Sequence, residues 1–234
     1  MRGRPRRAAR EDRGGLLLSA RAALLDLDGT LVDANYQHAF AWYRAFRRQG
    51  IVVPMWRVHR HIGMGGDQFV AAVAGDDVEE RLGDALREGW ADEFAPLRDE
   101  CAPLEGAYEL CVELRRRGHA VVLASSSKQD DLDHFVDELG VRDVVEGWTT
   151  ADDVERTKPH PDVVEAALAK AGSRDAVMIG DSRWDVEAAA NAGLDTICVI
   201  TGGWSEQELS DAGALAVFDS LVALRERLGD TPLS

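Results

Sequence analysis

A Rossmann-like, doubly wound parallel α/β sheet with an inserted α-helical segment is the fold class that this sequence predicts, on three observations. Short aliphatic runs alternate with amphipathic stretches over most of the chain, the order that builds parallel sheets with helices on both faces. Four of the amphipathic stretches stop at a glycine, the usual helix terminator. One interval, from Asp33 to Pro103, carries helical patterns and no convincing strand, as an insertion after the first strand would.

The elements follow in order. The first 21 residues hold seven arginines, Arg2, Arg4, Arg6, Arg7, Arg10, Arg13 and Arg21, against Glu11 and Asp12. They read as a disordered basic arm, with Leu16-Leu17-Leu18 too short for a signal-peptide core. Aliphatic runs at Ala22 to Leu27, Ala120 to Ala124, Val144 to Trp148, Ala176 to Ile179 and Thr196 to Ile200 are the expected strands. Helices are expected from Leu104 to Arg117, Asp130 to Leu139, Asp162 to Ala171 and Ser182 to Ala192. The division that results is a core of residues 22–33 and 103–234 around a helical segment of residues 34–102. Within the insertion, Tyr36, Phe40, Tyr43 and Phe46 recur at helical spacing and are expected to form its core, with hinges at Asp33-Ala34-Asn35 and around Pro96 to Pro103.

Composition narrows the function. A chain of 234 residues, 45% hydrophobic and 29% charged, can bury one substantial core and carry a large insertion. A formal net charge of -15 argues against nonspecific binding to nucleic acid or anionic membranes. No stretch approaches the ~20 apolar residues of a membrane span. Cys101, Cys111 and Cys198 are odd in number and form no Cys-x-x-Cys pair, which fits a reducing cytoplasm rather than a disulfide framework or zinc knuckle. A monomer or weak homodimer acting on a small molecule is the expectation.

The strand ends carry the chemistry. Asp26 and Asp28 close the first run, in Leu25-Asp26-Leu27-Asp28-Gly29-Thr30. Side chains of a strand alternate faces, so a spacing of two aims both carboxylates the same way, at the edge where open α/β sheets bind ligands. Like charges so close resist joint ionisation, which is useful if one attacks while the other carries a proton, or if a cation sits between them. An acidic surface turn or a calcium loop would share that spelling. Ser125-Ser126-Ser127-Lys128 closes the second run and offers donors to an anion, or caps the next helix. Thr157-Lys158-Pro159-His160-Pro161 places a lysine where it can fix a phosphate and offset the carboxylates. Asp181, in Ile179-Gly180-Asp181-Ser182-Arg183-Trp184-Asp185, either caps a helix or joins Asp26 and Asp28 in an oxygen site suited to magnesium.

Together these four segments resemble the four motifs of the haloacid dehalogenase (HAD) superfamily, over the chain from about Ala22 to the C-terminus. The resemblance implies that Asp26 is the nucleophile, Asp28 the acid/base, and Ser125, Ser126 and Lys158 the phosphate holders. It implies Mg2+ held by Asp26, Asp181 and the backbone carbonyl of Asp28, with Asp185 and Thr30 behind them. Aspartate at position 28 separates the chain from dehalogenases and points to phosphoryl transfer.

The insertion is similar to the helical cap of the phosphoglycolate phosphatase and β-phosphoglucomutase branch. His38 sits where the mutase carries a cap histidine, and His38, Gly65 and Gly66 are the cap candidates. The mutase's cap loop reads Gly-x-Ser-Arg, whereas Gly63-Met64-Gly65-Gly66-Asp67 lacks the arginine for a second phosphate. The expectation is a magnesium-dependent phosphatase of a small phosphorylated metabolite, of phosphoglycolate or sugar-phosphate type, working through an aspartyl-phosphate. A sugar-phosphate mutase, with Arg57 or Arg60 supplying the cation, is the nearest rival. A non-catalytic ligand-binding regulator is a more distant one, since a pure binding module gains nothing from crowded carboxylates.

Overall fold

Every strand of the main sheet is parallel, and the first is its buried centre. The computed structural model describes residues 21–234, so all of the expected arm except Arg21 lies outside the described residues. The sheet holds β1 (Ala22–Leu25), β4 (Ala120–Ala124), β5 (Gly147–Thr149), β6 (Ala176–Gly180), β7 (Asp195–Val199) and β8 (Ala216–Phe218), in the order β5-β4-β1-β6-β7-β8. A second, antiparallel pair joins β2 (Val32–Asp33) to β3 (Ala102–Pro103).

The side chains of β1 alternate between two cores, as strand geometry requires. Ala23 and Leu25 enter one with residues of α5 (Ala107–Arg116), α6 (Gln129–Leu139) and α10 (Leu221–Glu226). Ala22 and Leu24 enter the other with α7 (Asp162–Ala171) and α8 (Arg183–Ala192). A shorter α9 (Glu206–Ala212) covers the β7 side, where Leu209 packs on Cys198 and Trp204. Leu25 pairs with Leu123 on one side and Ile179 on the other. That register brings Asp26, Ser125 and Asp181 to one edge. From β1 the chain winds outward through β4 and β5, then returns to the other side of β1 for β6 to β8. The strand order therefore reverses at the end of β1, the place where open α/β sheets form a crevice.

Between β2 and β3 lie α1 (Asn35–Arg48), α2 (Met55–His59), α3 (Gly66–Ala74) and α4 (Asp76–Phe94). They enclose a cluster of their own, with Phe46, Val58, Phe69, Val70 and Leu86 at its centre. The two passages between this helical segment and the sheet run side by side, with Val32 opposite Pro103 and Asp33 opposite Ala102. Among the described residues, no helix is long and apolar enough to cross a membrane.

Three expectations need correction. The buried stripe of α1 is Ala39, Trp42, Ala45 and Phe46, whereas Tyr36 is 61% exposed and Phe40 37% exposed. The helix presents the face one residue round from the expected one, and the outward rings find local partners: Tyr36 stacks on His59 and Phe40 lies under Arg44. The strand expected from Val144 is instead Gly147–Thr149, because the amides of Val144 and Val145 both turn back to the carbonyl of Val141. The helix expected from Leu104 begins at Ala107, since the Leu104 amide is taken by Leu31.

Phe46 is fully buried in the segment's cluster, so Phe46→Ala should cost about 3–5 kcal/mol in urea unfolding. Tyr36→Ala, on the outward face, should cost less than about 1 kcal/mol. Equal losses would show that the aromatic stripe does pack inward.

Candidate active site

A buried lysine joins three of the sheet's connections. Lys158, on the loop between β5 and α7, directs its Nζ to Asp185 Oδ1 at 2.7 Å and to Asp26 Oδ1. Asp185 stands in the first turn of α8, where its other oxygen accepts from the Ser182 amide at 3.1 Å and the Ser182 hydroxyl at 2.6 Å, closing a capping box. Asp26 follows β1 directly, its amide donating to Ile179 of β6 at 2.9 Å. Asp181, one residue beyond β6, accepts from Thr30 Oγ1 at 3.0 Å and from Asn35 Nδ2 at 2.9 Å. Thr30 also lies 3.3 Å from Asp26 Oδ2, so one hydroxyl is shared between two carboxylates.

The turn after β1 leaves no room for a side chain at Gly29. Its φ is +84°, and a Cβ there would stand 2.2 Å from Asn35 Nδ2 and 2.6 Å from Asp181 Oδ2. Asp28 faces the opposite wall, with its Oδ2 accepting from Ser127 Oγ at 3.1 Å and its Oδ1 3.3 Å from His38 Nε2. His38 is stacked on Phe94 and Trp90.

A cavity of about 430 Å³ opens between this edge and the helical segment. Asp26, Asp28, Ser125, Ser126, Ser127 and Lys158 line it from the sheet, and His38, Trp42, Gly65, Gly66 and Trp90 from the helices. A more open depression lined by Tyr108, Glu109 and Arg225 holds none of these groups.

The structure thus brings Asp26, Asp28, Ser125, Ser126, Lys158 and the cap candidates His38, Gly65 and Gly66 to one cavity. Behind it stand Thr30, bonded to Asp26, Asp185, bonded to Lys158, and Asp181, which accepts from Thr30. Arg57 and Arg60 do not line it, and Arg60 pairs with Glu208 at 2.5 Å on the outer seam. Sequence reasoning missed Asn35, Asp67 and Thr157 as site residues, and took Ser127 as part of an anion-binding run rather than as a partner of Asp28. Asn35 carried a faint signal, a polar residue opening an otherwise aromatic helix.

Burial and crowding set the charges. Burial, with Asp185 close by, pushes the Asp26 carboxyl up to about 7 even though Lys158 pulls it down. Asp181 is raised well above its ordinary value by burial and then by Asp185 and Asp26, against its two hydrogen bonds. Burial also works on Asp28, but His38 and the Ser127 hydroxyl outweigh it and hold that carboxyl below the usual range. Lys158 stays protonated, since Asp185 and Asp26 overcome the burial that would discharge it.

Ligand oxygens of Asp26, Asp181 and Asp185 lie within 4.8 Å of one another, all buried. Three carboxylates against one ammonium leave an excess of buried negative charge, and the donors are all hard oxygens. That set fits a small divalent cation such as magnesium. The Asp28 carboxylate stands outside this trio.

A family model for haloacid dehalogenase-like hydrolases matches residues 20–193. Validoxylamine A 7'-phosphate phosphatase of Streptomyces hygroscopicus subsp. limoneus is 28% identical over 210 residues, 86% of this chain and 92% of that protein. Phosphoglycolate phosphatase of Rhodospirillum rubrum is 28% identical over 222 residues, 89% of this chain and 91% of that one. The crystal structure of a hydrolase from Pseudomonas syringae superposes with a TM-score of 0.84 at 31% identity, over 89% of this chain and 98% of that chain.

Raised carboxyls give a signed pH dependence. Asp26 and Asp181 hold protons to higher pH when folded than when unfolded, so in metal-free protein their contribution to stability falls as pH rises from roughly 4 to 7. Asp181→Asn should remove part of that fall, read as the difference between the two proteins' urea midpoints across this range in chelator. Identical profiles would contradict the assignment of excess charge to this cluster.

Proposed function

The chain belongs to the haloacid dehalogenase-like hydrolases, on the branch of phosphoglycolate phosphatase and β-phosphoglucomutase, and on that premise we propose that it hydrolyses phosphomonoesters of small metabolites through a phosphoryl-aspartate at Asp26. The observation that carries this reading is the placement of Asp26 and Asp28 in one cavity with opposite partners. Asp26 is held by Lys158, and Asp28 by Ser127 and His38.

In this mechanism Asp26 attacks phosphorus from a carboxylate that Lys158 aims and Thr30 supports. Ser125, Ser126 and Lys158 receive the phosphoryl oxygens. Asp28 protonates the leaving oxygen, then takes a proton from the water that attacks the phosphoryl-aspartate. A phosphate anion beside it raises its proton affinity. Asp26, Asp181 and the Asp28 carbonyl would hold magnesium, whose charge would offset that of the phosphoryl group. Asp185 fixes Lys158 rather than meeting substrate.

Residues 34–102 act as a cap over a core of residues 22–33 and 103–234, excluding bulk water when seated. The three buried thiols fit a cytoplasmic enzyme. Hydrolysis is favoured over mutase chemistry by the cap's cations. Arg57 is exposed and Arg60 is tied to Glu208. Arg87 lines the cavity, but its terminal nitrogens already serve Glu79, Asp84 and the Gly66 carbonyl. A bisphosphorylated intermediate would want a free, fixed guanidinium there.

With glucose 1-phosphate and catalytic glucose 1,6-bisphosphate, the protein should release inorganic phosphate faster than it forms glucose 6-phosphate. Asp26→Asn should lose at least roughly a thousandfold of either product. Isomer formation outrunning phosphate release would make the chain a mutase, and near-normal turnover by Asp26→Asn would remove the covalent step.

A further inference from the structure

The contact between the cap and the lysine loop is built from backbone as much as from side chains. The Gly65 amide donates to Thr157 Oγ1 at 3.0 Å. The Thr157 amide donates to Asp67 Oδ2 at 3.1 Å, and the Thr157 hydroxyl donates to Asp67 Oδ1. All three bonds cross from the cap to the residue that precedes Lys158. The approach is close enough to exclude any side chain at residue 65: a Cβ there would lie 2.3 Å from Thr157 Oγ1 and 2.4 Å from its methyl carbon. Gly65 and Thr157 are both buried. Asp67 stands in the first turn of α3, where a carboxylate is favoured by the helix dipole. Burial pushes its carboxyl up, but the Thr157 and Gln68 donors outweigh that and keep it anionic.

An anion at this place is a poor phosphate ligand, so its use must be sought on the protein side. We propose that Asp67 is a positioning residue, a latch that engages both donors of Thr157 and so sets the Lys158 loop only when the cap is seated on the sheet edge. Opening the cap breaks all three bonds to Thr157 and leaves the neighbouring lysine held by its carboxylates alone. Closure and the aim of the phosphate-binding ammonium are then one event. Other contacts across the seam, among them His59 Nε2 with the Gly202 carbonyl at 3.1 Å and Arg60 with Glu208 at 2.5 Å, do not touch that loop. The latch rests on the phosphatase reading for its consequence in turnover, but not for its existence.

Two measurements on the full chain test it. Amide exchange read at residue 157 should accelerate in Asp67→Ala relative to the wild type, while the amides of β1 and β6 keep their protection. Turnover of para-nitrophenyl phosphate by the same variant should fall roughly ten- to a hundredfold in kcat, the scale of misplacing a reacting group by about an ångström. KM and the melting temperature should change little. Asp67→Asn keeps an oxygen for the Thr157 amide and should recover most of the loss, and Thr157→Ser should behave as wild type. A kcat for Asp67→Ala within twofold of wild type, or unchanged exchange at residue 157, would overturn the latch. Absence of phosphate release by the wild type would instead overturn the phosphatase reading, and exchange at residue 157 would still decide whether the latch exists.

Discussion

One buried ammonium shared between two carboxylates is the constraint on which the rest of this molecule depends. Lys158 binds Asp26 and Asp185 at once, with Asp181 close behind them. Withdrawing an ion from water costs several kcal/mol, and a buried pair deprived of one partner typically costs about 3–5 kcal/mol. The three elements that carry these groups are therefore not free to drift: the end of β1, the loop before α7 and the first turn of α8 are tied at one point. The excess negative charge that remains is unfavourable for stability and favourable for receiving a cation. Stability is given up where chemistry is to occur.

The sheet exists to bring these groups together without flexible tethers. Asp26 and Asp181 follow strands and Asp185 opens a helix, so their positions are set by backbone hydrogen bonds, and Lys158 reaches Asp26 and Asp185 from a loop. The helical segment leaves and re-enters through a two-stranded ribbon beside this edge. Its inner wall of Trp42, Trp90 and His38 can thus face the carboxylates across the cavity. Gly65 lets that wall descend until its backbone touches Thr157.

Much of this was legible from the chain because strand ends are written locally. Asp26, Lys158 and Asp181 each sit beside an apolar run or a proline-bounded turn, and a parallel sheet then dictates that they meet. Thr157 and Asp67 were not legible and Asn35 only faintly so, because their partners lie far away in sequence. Asn35 reaches Asp181 across 146 positions and Thr157 reaches Asp67 across 90. The face of α1 differs from the expected one because four aromatics at helical spacing suggest a core, whereas the small Ala45 lets α4 approach with Gly89 against it. β8, with three residues, is too short to leave a periodic signature and is held by its pairing with β7.

Covalent phosphorylation of Asp26 is the step on which the proposed hydrolysis turns. Its most direct test is peptide mass spectrometry of protein quenched in acid during steady turnover of para-nitrophenyl phosphate. A single phosphoryl increment confined to the peptide carrying Asp26, and removed by mild alkali, is the predicted result. Steady phosphate release with no increment on that peptide, or with the increment on Ser125 instead, would contradict it.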